Sequence, residues 1–408
     1  MSGDTLTASE AEAGGLRAEL LAGIQRHRGE FEAAGDEAES LRTLPPGSVA
    51  TVRSLGLFWL KTPASLGGTP LPPVEFCDVI EELAYIDVST AWAAMIGAGC
   101  CGLVGGWLPE AGALRVFTPV PDGGLPVVAG QLAPRGTGKP VSGGYLVTGR
   151  WGFSSGILHA DWLLGAFTID SAAGDGAASA DGDGGTGFGR MVVFAVPKSE
   201  AEVIDNWYVA GLQGTGSLDF RVDELFVPAE MTYDLGIPAV RGGDLFRLGM
   251  PAFVSNEVPP LCVGLARRAL DDMTELALKT ARFPGGPTVS ERAVFHKELG
   301  RAETKLRAAR LVHREAMADA WQAALAGDAP SEEQQLAVTA ASVFAVETAA
   351  EVVSDLFRYG GGRVLALSNP MQRHLRNALA ARQHLALSEE GYEAAGRYRL
   401  EAAKSRRS

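Results

Sequence analysis

The feature that most constrains the fold is a double change of hydrophobic pattern along the 408-residue chain. Residues 5 to about 118 are predicted to be helical, and residues 10–34 in particular are rich in Ala, Glu, Leu and Arg, which favour helices. From about residue 127 to residue 228 the pattern changes to short β-branched and aromatic runs bounded by Gly and Pro, which predict strands. A helical pattern returns from about residue 251. We therefore predict an α+β, mainly helical protein with a β-domain inserted between helical ones.

The length of the chain supports more than one substructure, because a single hydrophobic core seldom serves so many residues. We place an N-terminal helical domain at residues 1–122, a middle β-domain at 123–238 and a C-terminal helical bundle at 239–408.

The N-terminal block is predicted to hold a helix over Glu10–Ala34, a short helix over Ser48–Leu57 and a helix over Val74–Ile86. Pro73 is placed to open the last of these, at a first-turn position where its missing N–H does no harm. The apolar run from Ala91 to Leu108 is interrupted by glycines, so we interpret it as a buried, closely packed helix rather than a membrane span.

The middle block has five strand candidates and one hairpin signal. Ser142-Gly143-Gly144 is typical of a tight turn between two strands. Residues 171–189 are almost entirely Gly, Ala, Ser, Asp and Thr, which predicts a mobile hairpin loop, with a functional lid as the alternative. The strand candidates begin at Val127, Tyr145, Trp162, Met191 and Phe220.

The C-terminal block shows small and apolar residues at three- and four-residue steps, which predicts helices that approach each other closely, as in a four-helix bundle. The stripe comprises Leu299, Ala302, Leu306, Ala309, Val312, Ala316, Ala320 and Ala324. Further helices are predicted over Gln334–Arg358 and Asn369–Leu387.

Charge and cysteine usage exclude several classes of partner. The net charge of −13 disfavours nucleic acid and anionic membranes, which require a basic face. The four cysteines show no metal-ligand spacing, so we predict buried thiols, no metal site and a reducing, cytoplasmic environment. The first residues lack the basic and apolar regions of a secretory signal.

Six segments, in order, resemble the acyl-CoA dehydrogenase superfamily, and within it the flavin-dependent monooxygenases that form the oxygenase components of two-component systems. Each segment alone is weak, but together they span most of the chain. They are Gly56–Gly68, Glu81–Trp92, Gly149–Trp162, Trp207–Ser217, Tyr359–Gly362 and Gln372–His384. The resemblance implies a middle β-barrel-like domain followed by a C-terminal four-helix bundle.

The segment from Phe153 to Gly156 resembles the stretch that lies beside the flavin ring in this superfamily. The resemblance assigns Ser154 and its neighbour Ser155 to flavin N5, an atom that alternates between hydrogen-bond donor and acceptor. A hydroxyl can serve both states. The alternative interpretation is a simple turn at a strand end, where Ser and Gly are common.

The resemblance implies further cofactor contacts. Arg282 and Phe283 correspond to a segment that reaches the cofactor diphosphate across a subunit interface, and Tyr359, Gly360 and Gly361 to a glycine loop that approaches phosphate. Gln131, in the first strand candidate, is assigned to the cofactor as well. The alternatives are a surface arginine at a helix end and a glycine helix cap.

His384 aligns with a histidine that the monooxygenases place near flavin C4a, where an imidazole can handle a proton. The alternative is a structural histidine on an amphipathic helix. The dehydrogenases use a glutamate base, commonly after the glycine loop, and the nearest equivalent here is Ser368, whose hydroxyl is no base near neutral pH.

The resemblance therefore implies a monooxygenase that takes reduced flavin from a separate reductase, since no GxGxxG motif follows a strand. Oxygen would form a C4a-hydroperoxyflavin and pass to an aromatic or heteroaromatic small molecule. FAD is favoured over FMN, and a homotetramer or homodimer is implied. The alternatives are an acyl-CoA dehydrogenase-like dehydrogenase or desaturase and a non-catalytic flavin-binding protein.

Overall fold

The computed structural model describes residues 8–120, 124–170, 191–281 and 283–407. The loop predicted over residues 171–189, and Arg282, lie outside the described residues. Within them, the three-block order of the sequence prediction is confirmed: helices, a sheet, then helices.

The N-terminal block holds six α-helices. They are α1 (Ala8–Arg26), α2 (Arg28–Leu41), α3 (Pro46–Ser54), α4 (Pro73–Ile86), α5 (Val88–Trp107) and α6 (Glu110–Val116). The single helix predicted over Glu10–Ala34 is wrong, because the chain breaks at His27 into α1 and α2. Pro73 opens α4 as predicted.

Helix α5 is the central helix of this block and is buried along almost its whole length. Its glycines admit side chains from neighbouring segments. A Cβ built at Gly97 would lie 2.6 Å from the ring of Phe58, and one at Gly102 would lie 2.9 Å from Lys61. These close approaches explain why the helix tolerates residues of poor helix propensity.

Two described helices are long and apolar enough to cross a membrane by length and composition, namely α5 and the later helix over Glu332–Phe357. Their most apolar windows are 94% and 61% buried within the fold, respectively. Such burial is what core helices of globular proteins show, which agrees with the interpretation of residues 91–108 as a packed helix.

The middle block is one seven-stranded sheet. Its strands are β1 (Val128–Val141), β2 (Gly144–Trp151), β3 (Trp162–Ile169), β4 (Met191–Pro197), β5 (Glu202–Ile204), β6 (Asp219–Pro228) and β7 (Thr232–Tyr233). The strand order is β5-β6-β2-β1-β3-β4-β7, with β1 and β3 parallel and the other neighbours antiparallel. The two-residue turn between β1 and β2 confirms the predicted hairpin, while β5 and β7 were too short to be predicted.

The C-terminal block begins with two single-turn helices and continues in a bundle. Its helices are α7 (Asp244–Arg247), α8 (Ala252–Ser255), α9 (Val258–Lys279), α10 (Ala293–Leu325), α11 (Glu332–Phe357), α12 (Pro370–Ala381) and α13 (Glu390–Ser405). Ser331 and Gln334 form a reciprocal capping box at the start of α11.

Two details of this block differ from the sequence prediction. Helix α12 ends at Ala381 rather than Leu387, so His384 lies in the connection after the helix and not on its face. On α10, Val312 is exposed and the neighbouring His313 is buried. The imidazole of His313 bonds the carbonyl oxygen of Ser255 at 3.0 Å, and this polar contact overrides the apolar periodicity.

Candidate functional site

The predicted flavin segment is a tight turn after β2, which ends at Trp151. The Trp151 ring is fully buried and stacks on Phe220 with centroids 5.0 Å apart. Beyond it the backbone is tied to the segment before β6: Ser154 N donates to Leu218 O at 3.1 Å, and Gly156 N donates to Thr215 O at 2.9 Å. Residues 152–156 are therefore held by the middle sheet on one side and by residues 212–218 on the other.

Ser155 belongs to a chain of buried hydroxyls. Its Oγ accepts from Trp92 Nε1 at 2.9 Å and lies 2.7 Å from Ser217 Oγ. Ser217 Oγ lies 2.7 Å from Thr215 Oγ1, which donates to Leu212 O at 2.8 Å. Each hydroxyl carries one proton, so the fixed indole and carbonyl ends order the whole chain in one direction. The proton of Ser155 is thereby committed to Ser217.

Ser154 differs from its neighbour. It is fully buried, and its Oγ has no hydrogen-bond partner within the described part of the chain. A buried hydroxyl without a partner costs about 1–3 kcal/mol, and such groups concentrate where function requires them. The hydroxyl fits a ligand atom that both donates and accepts. Because Ser154 is fully covered, a flavin ring can reach it only after neighbouring groups move.

His384 lies close to the same turn through Trp92. The two rings pack edge to face, with centroids 6.0 Å apart and planes at 66°. His384 Nδ1 is buried without a partner in the described residues. Burial lowers the pKa of His384 below its ordinary value, so the ring is neutral near pH 7. The structure thus brings Ser154, Ser155 and His384 together around Trp92.

Phe153 projects outward from this turn. Its φ of +59° lies in the left-handed region, which is unusual for a bulky residue and stores backbone strain. The side chain is 74% exposed and meets the ring of Trp207 edge-on at 6.1 Å. A strained, exposed aromatic beside Ser154 fits a surface that stacks on a planar ligand.

The residues assigned to the diphosphate lie elsewhere in the chain. Tyr359 follows α11, packs edge-on against Phe295 at 5.4 Å and donates to Val294 O at 3.4 Å. Gly360 is buried against Val364, and Gly361 has a φ of +62°, which favours glycine. Phe283 is 67% exposed. Tyr359 therefore lies against the start of α10, whereas His384 contacts Trp92.

Gln131 lies on β1 next to a register shift in its pairing with β3. Its amide is bound within the strand: Ala133 N donates to Gln131 Oε1 at 2.6 Å, and Gln131 Nε2 donates to Ala133 O at 3.3 Å. The side chain must release these bonds to contact a cofactor.

Neither of two surface cavities in the described part of the chain is lined by Ser154 or Ser155. One, of about 220 Å³, contains Ser368 together with carboxylates that are already engaged. Asp272 pairs with His374 at 2.7 Å, and Asp87 caps α5 by accepting from Thr90 N at 2.7 Å. This cavity therefore offers no unengaged base of the dehydrogenase kind among these residues.

Sequence reasoning assigned no role to Trp92, Ser217 or Thr215. All three lie in segments that carry the family resemblance, which was the available signal. Trp92 and Ser217 bond Ser155 from 63 and 62 positions away along the chain, respectively. Spacing along the chain does not reveal such contacts.

Comparison with known proteins agrees with this architecture. Residues 259–389 match the family model for the acyl-CoA dehydrogenase C-terminal domain. The chain is 28% identical to the indole-3-acetate monooxygenase of Pseudomonas putida, covering 88% of each chain. It is 28% identical to the flavin-dependent monooxygenase oxygenase subunit HsaA of Rhodococcus jostii, covering 87% of this chain and 91% of the relative.

Among solved structures, XiaF from a Streptomyces species, in complex with FADH2 and glycerol, superposes with a TM-score of 0.85. The identity is 25%, and the match covers 96% of this chain and 97% of XiaF. Residues 259–389 thus carry the acyl-CoA dehydrogenase C-terminal domain, and the relatives of the chain are named as flavin-dependent monooxygenases or hydroxylases, several of them as oxygenase subunits. The chain is accordingly a flavin-dependent monooxygenase by its similarity to these proteins.

Proposed function

We propose that this chain hydroxylates an aromatic or heteroaromatic small molecule with dioxygen and reduced flavin, which a separate reductase supplies. The observation that carries the site assignment is the unpaired, buried hydroxyl of Ser154, in a turn that Ser155 joins through Trp92 to the neutral imidazole of His384. Relatives named for indole-3-acetate and for oxygenase subunits support the substrate class and the reaction.

A reduced flavin bound here would supply the electrons that activate dioxygen. The chain's own residues would orient and protect it. Ser154 Oγ would hold the proton at flavin N5, Phe153 would stack against the ring, and His384 Nδ1 would give or take a proton on the side of Trp92. The buried surroundings of these groups would exclude water.

The direct test supplies chemically reduced FAD to the protein without oxygen and then adds dioxygen labelled with oxygen-18, with indole-3-acetate, indole and simple phenols as candidate substrates. We expect one labelled oxygen atom in a product. Ser154→Ala should divert about ten-fold more of the flavin's electrons to hydrogen peroxide, and His384→Gln should slow product formation by about 100-fold. Stoichiometric peroxide with every substrate would contradict the proposal, and anaerobic bleaching of bound oxidised flavin by an acyl thioester would indicate a dehydrogenase.

We further propose FAD rather than FMN as the working cofactor, and a cytoplasmic location. The solved neighbour that contains FADH2 supports the first, and four buried, unpaired cysteines agree with the second. A competition between reduced FAD and reduced FMN for the protein tests the cofactor, and tighter binding of FMN would contradict it.

A homodimer or homotetramer is proposed because the ring contacts of Tyr359 and His384 go to different neighbours in the described part of the chain, Phe295 and Trp92 respectively. A second copy would bring its glycine loop to the site. Mixing Ser154→Ala with Gly361→Val protein should restore part of the activity that each lacks, since some mixed sites receive both native residues. No recovery after mixing and exchange of subunits would contradict a shared site.

A further inference from the structure

We infer that Trp92 is the positioning residue of this site, joining the turn that carries Ser154 to the connection that carries His384. The inference rests on the proposed function for its meaning, but its evidence lies in contacts within the chain. Nothing in the family resemblance assigned Trp92 this role.

The position of Trp92 is fixed by the start of α5. Asp87 caps the helix, with its Oδ2 accepting from both Thr90 N and Thr90 Oγ1 at 2.7 Å. Trp92 follows within the next turn and is only 7% exposed. Because the helix start is capped and buried, the indole has few orientations. The residues that it contacts are therefore held in fixed positions relative to α5.

One side of the indole fixes the Ser154 turn. Its N–H donates to Ser155 Oγ at 2.9 Å and so begins the ordered chain through Ser217 to Thr215. Because Ser155 receives this bond and donates its own proton onward, it has no proton left for a ligand. Ser155 is therefore also a positioning residue, and the hydroxyl left for the ligand is that of Ser154.

The other side of the indole fixes the imidazole. His384 lies beyond the end of α12, and its Nδ1 makes no hydrogen bond in the described residues. Its ring packs edge to face on the ring of Trp92, with the two centroids 6.0 Å apart. Burial lowers the pKa of His384 below its ordinary value. The Trp92 ring is thus part of what orients His384 and keeps water from it.

Two variants separate these contacts, and the same helix provides their control. Trp92→Phe removes the N–H and keeps an aromatic ring, whereas Trp92→Leu removes both. Trp107 is also on α5, is 3% exposed, donates its N–H to Ile237 O at 3.0 Å and packs edge-on against Phe253 at 5.5 Å. Trp107→Phe and Trp107→Leu therefore impose the same chemical losses away from the site.

The readouts need no turnover. The pKa of His384 is measured by NMR of the flavin-free protein, with His384→Gln identifying its signal, and the affinity for oxidised FAD is measured by fluorescence titration. Trp92→Leu should raise the pKa of His384 towards its ordinary value, as water enters. Trp92→Phe should move that pKa less and weaken FAD binding about five-fold through the loosened turn.

Equal pKa values of His384 in Trp92→Leu and the unaltered protein would overturn the inference, as would an equal shift in Trp107→Leu. If Trp92→Leu does not fold, the test is whether Trp92→Phe loses more affinity for FAD than Trp107→Phe does. An equal loss in the two variants would overturn the inference. The pKa shift, with no binding of either oxidised or anaerobically reduced FAD, would support the role of Trp92 in packing while refuting the proposed function. Normal hydroxylation with FAD affinity and the pKa unchanged in both Trp92 variants would refute the inference alone.

Discussion

Helix α5 contacts two buried polar clusters that differ in how completely their hydrogen bonds are made. The first surrounds Trp92 and ends in two unpaired atoms, Ser154 Oγ and His384 Nδ1. The second surrounds Lys61, which is fully buried against Gly102, while its partner Glu257 lies against Gly99. Lys61 Nζ donates to Phe253 O at 2.7 Å, Asn256 Oδ1 at 2.8 Å and Glu257 Oε1 at 2.6 Å.

The two clusters show that buried polar groups serve two different purposes in this chain. All three donors of Lys61 are used, so the charged cluster fastens the segment after α3 to the segment before α9 and has little capacity for a ligand. Within the described residues, Asn256 Nδ2 is buried in this cluster without a hydrogen-bond partner. The neutral cluster fastens the turn through Ser155 while leaving Ser154 and His384 available. We therefore propose that the charged cluster stabilises the chain and that the neutral one holds the flavin.

The largest expected effect comes from breaking the charged pair. Lys61→Met should lower the free energy of unfolding by about 3–5 kcal/mol, because Glu257 is left buried without its partner. The double variant Lys61→Met with Glu257→Leu should recover a large part of that loss. Urea unfolding measures both. A loss below about 1 kcal/mol for Lys61→Met would show that the cluster does not hold the helices together.

The second-largest effect should come from acid, which should lower the stability of the same region. Burial lowers the pKa of His313 to about 4, while its imidazole bonds Ser255 O one residue before Asn256. In the unfolded chain the ring takes up a proton below its ordinary pKa of 6.5, so stability falls as the pH drops from about 6.5 to about 4. The loss due to His313 should reach roughly 3 kcal/mol.

His313→Gln is the matched control, because its amide can still donate to Ser255 O and does not titrate. Urea unfolding at neutral pH and near pH 4 should show a smaller acid loss in this variant than in the unaltered protein. Parallel losses in the two proteins would assign the acid sensitivity to other groups.

The smallest effects on stability should come from the neutral cluster, and they should run opposite to the effects on function. Ser217→Ala breaks the ordered chain between Ser155 and Thr215 and should cost about 1–2 kcal/mol. Ser154→Ala removes an unpaired buried hydroxyl and should change stability by less than about 0.5 kcal/mol, or increase it. Thermal unfolding measures these changes, and a Ser154→Ala loss as large as that of Ser217→Ala would contradict the assignment of Ser154 as unpaired.

Local pattern predicted the elements whose formation is local. The change from helix to strand periodicity, the turn at Ser142-Gly143 and the proline that opens α4 all appear as expected. Elements decided by tertiary contacts were missed. The end of α12 at Ala381 removed His384 from the helix, and the bond from His313 to Ser255 O reversed the burial of its neighbour Val312.

The site was predictable to the level of a segment but not of an atom. Family resemblance directed attention to Ser154 and Ser155 together, and adjacent residues with the same side chain are equivalent by sequence alone. What distinguishes them is an indole from α5 that bonds only Ser155. The contact of Tyr359 with Phe295 is likewise a property of packing.

The most direct measurement is the distance from Ser154 Oγ to flavin N5 in a crystal structure of the protein with bound reduced FAD. We predict about 2.7–3.2 Å, with Ser155 Oγ still bonded to Trp92 and Ser217. A flavin bound with Ser154 still covered, or with Ser155 as the N5 partner, would contradict the account.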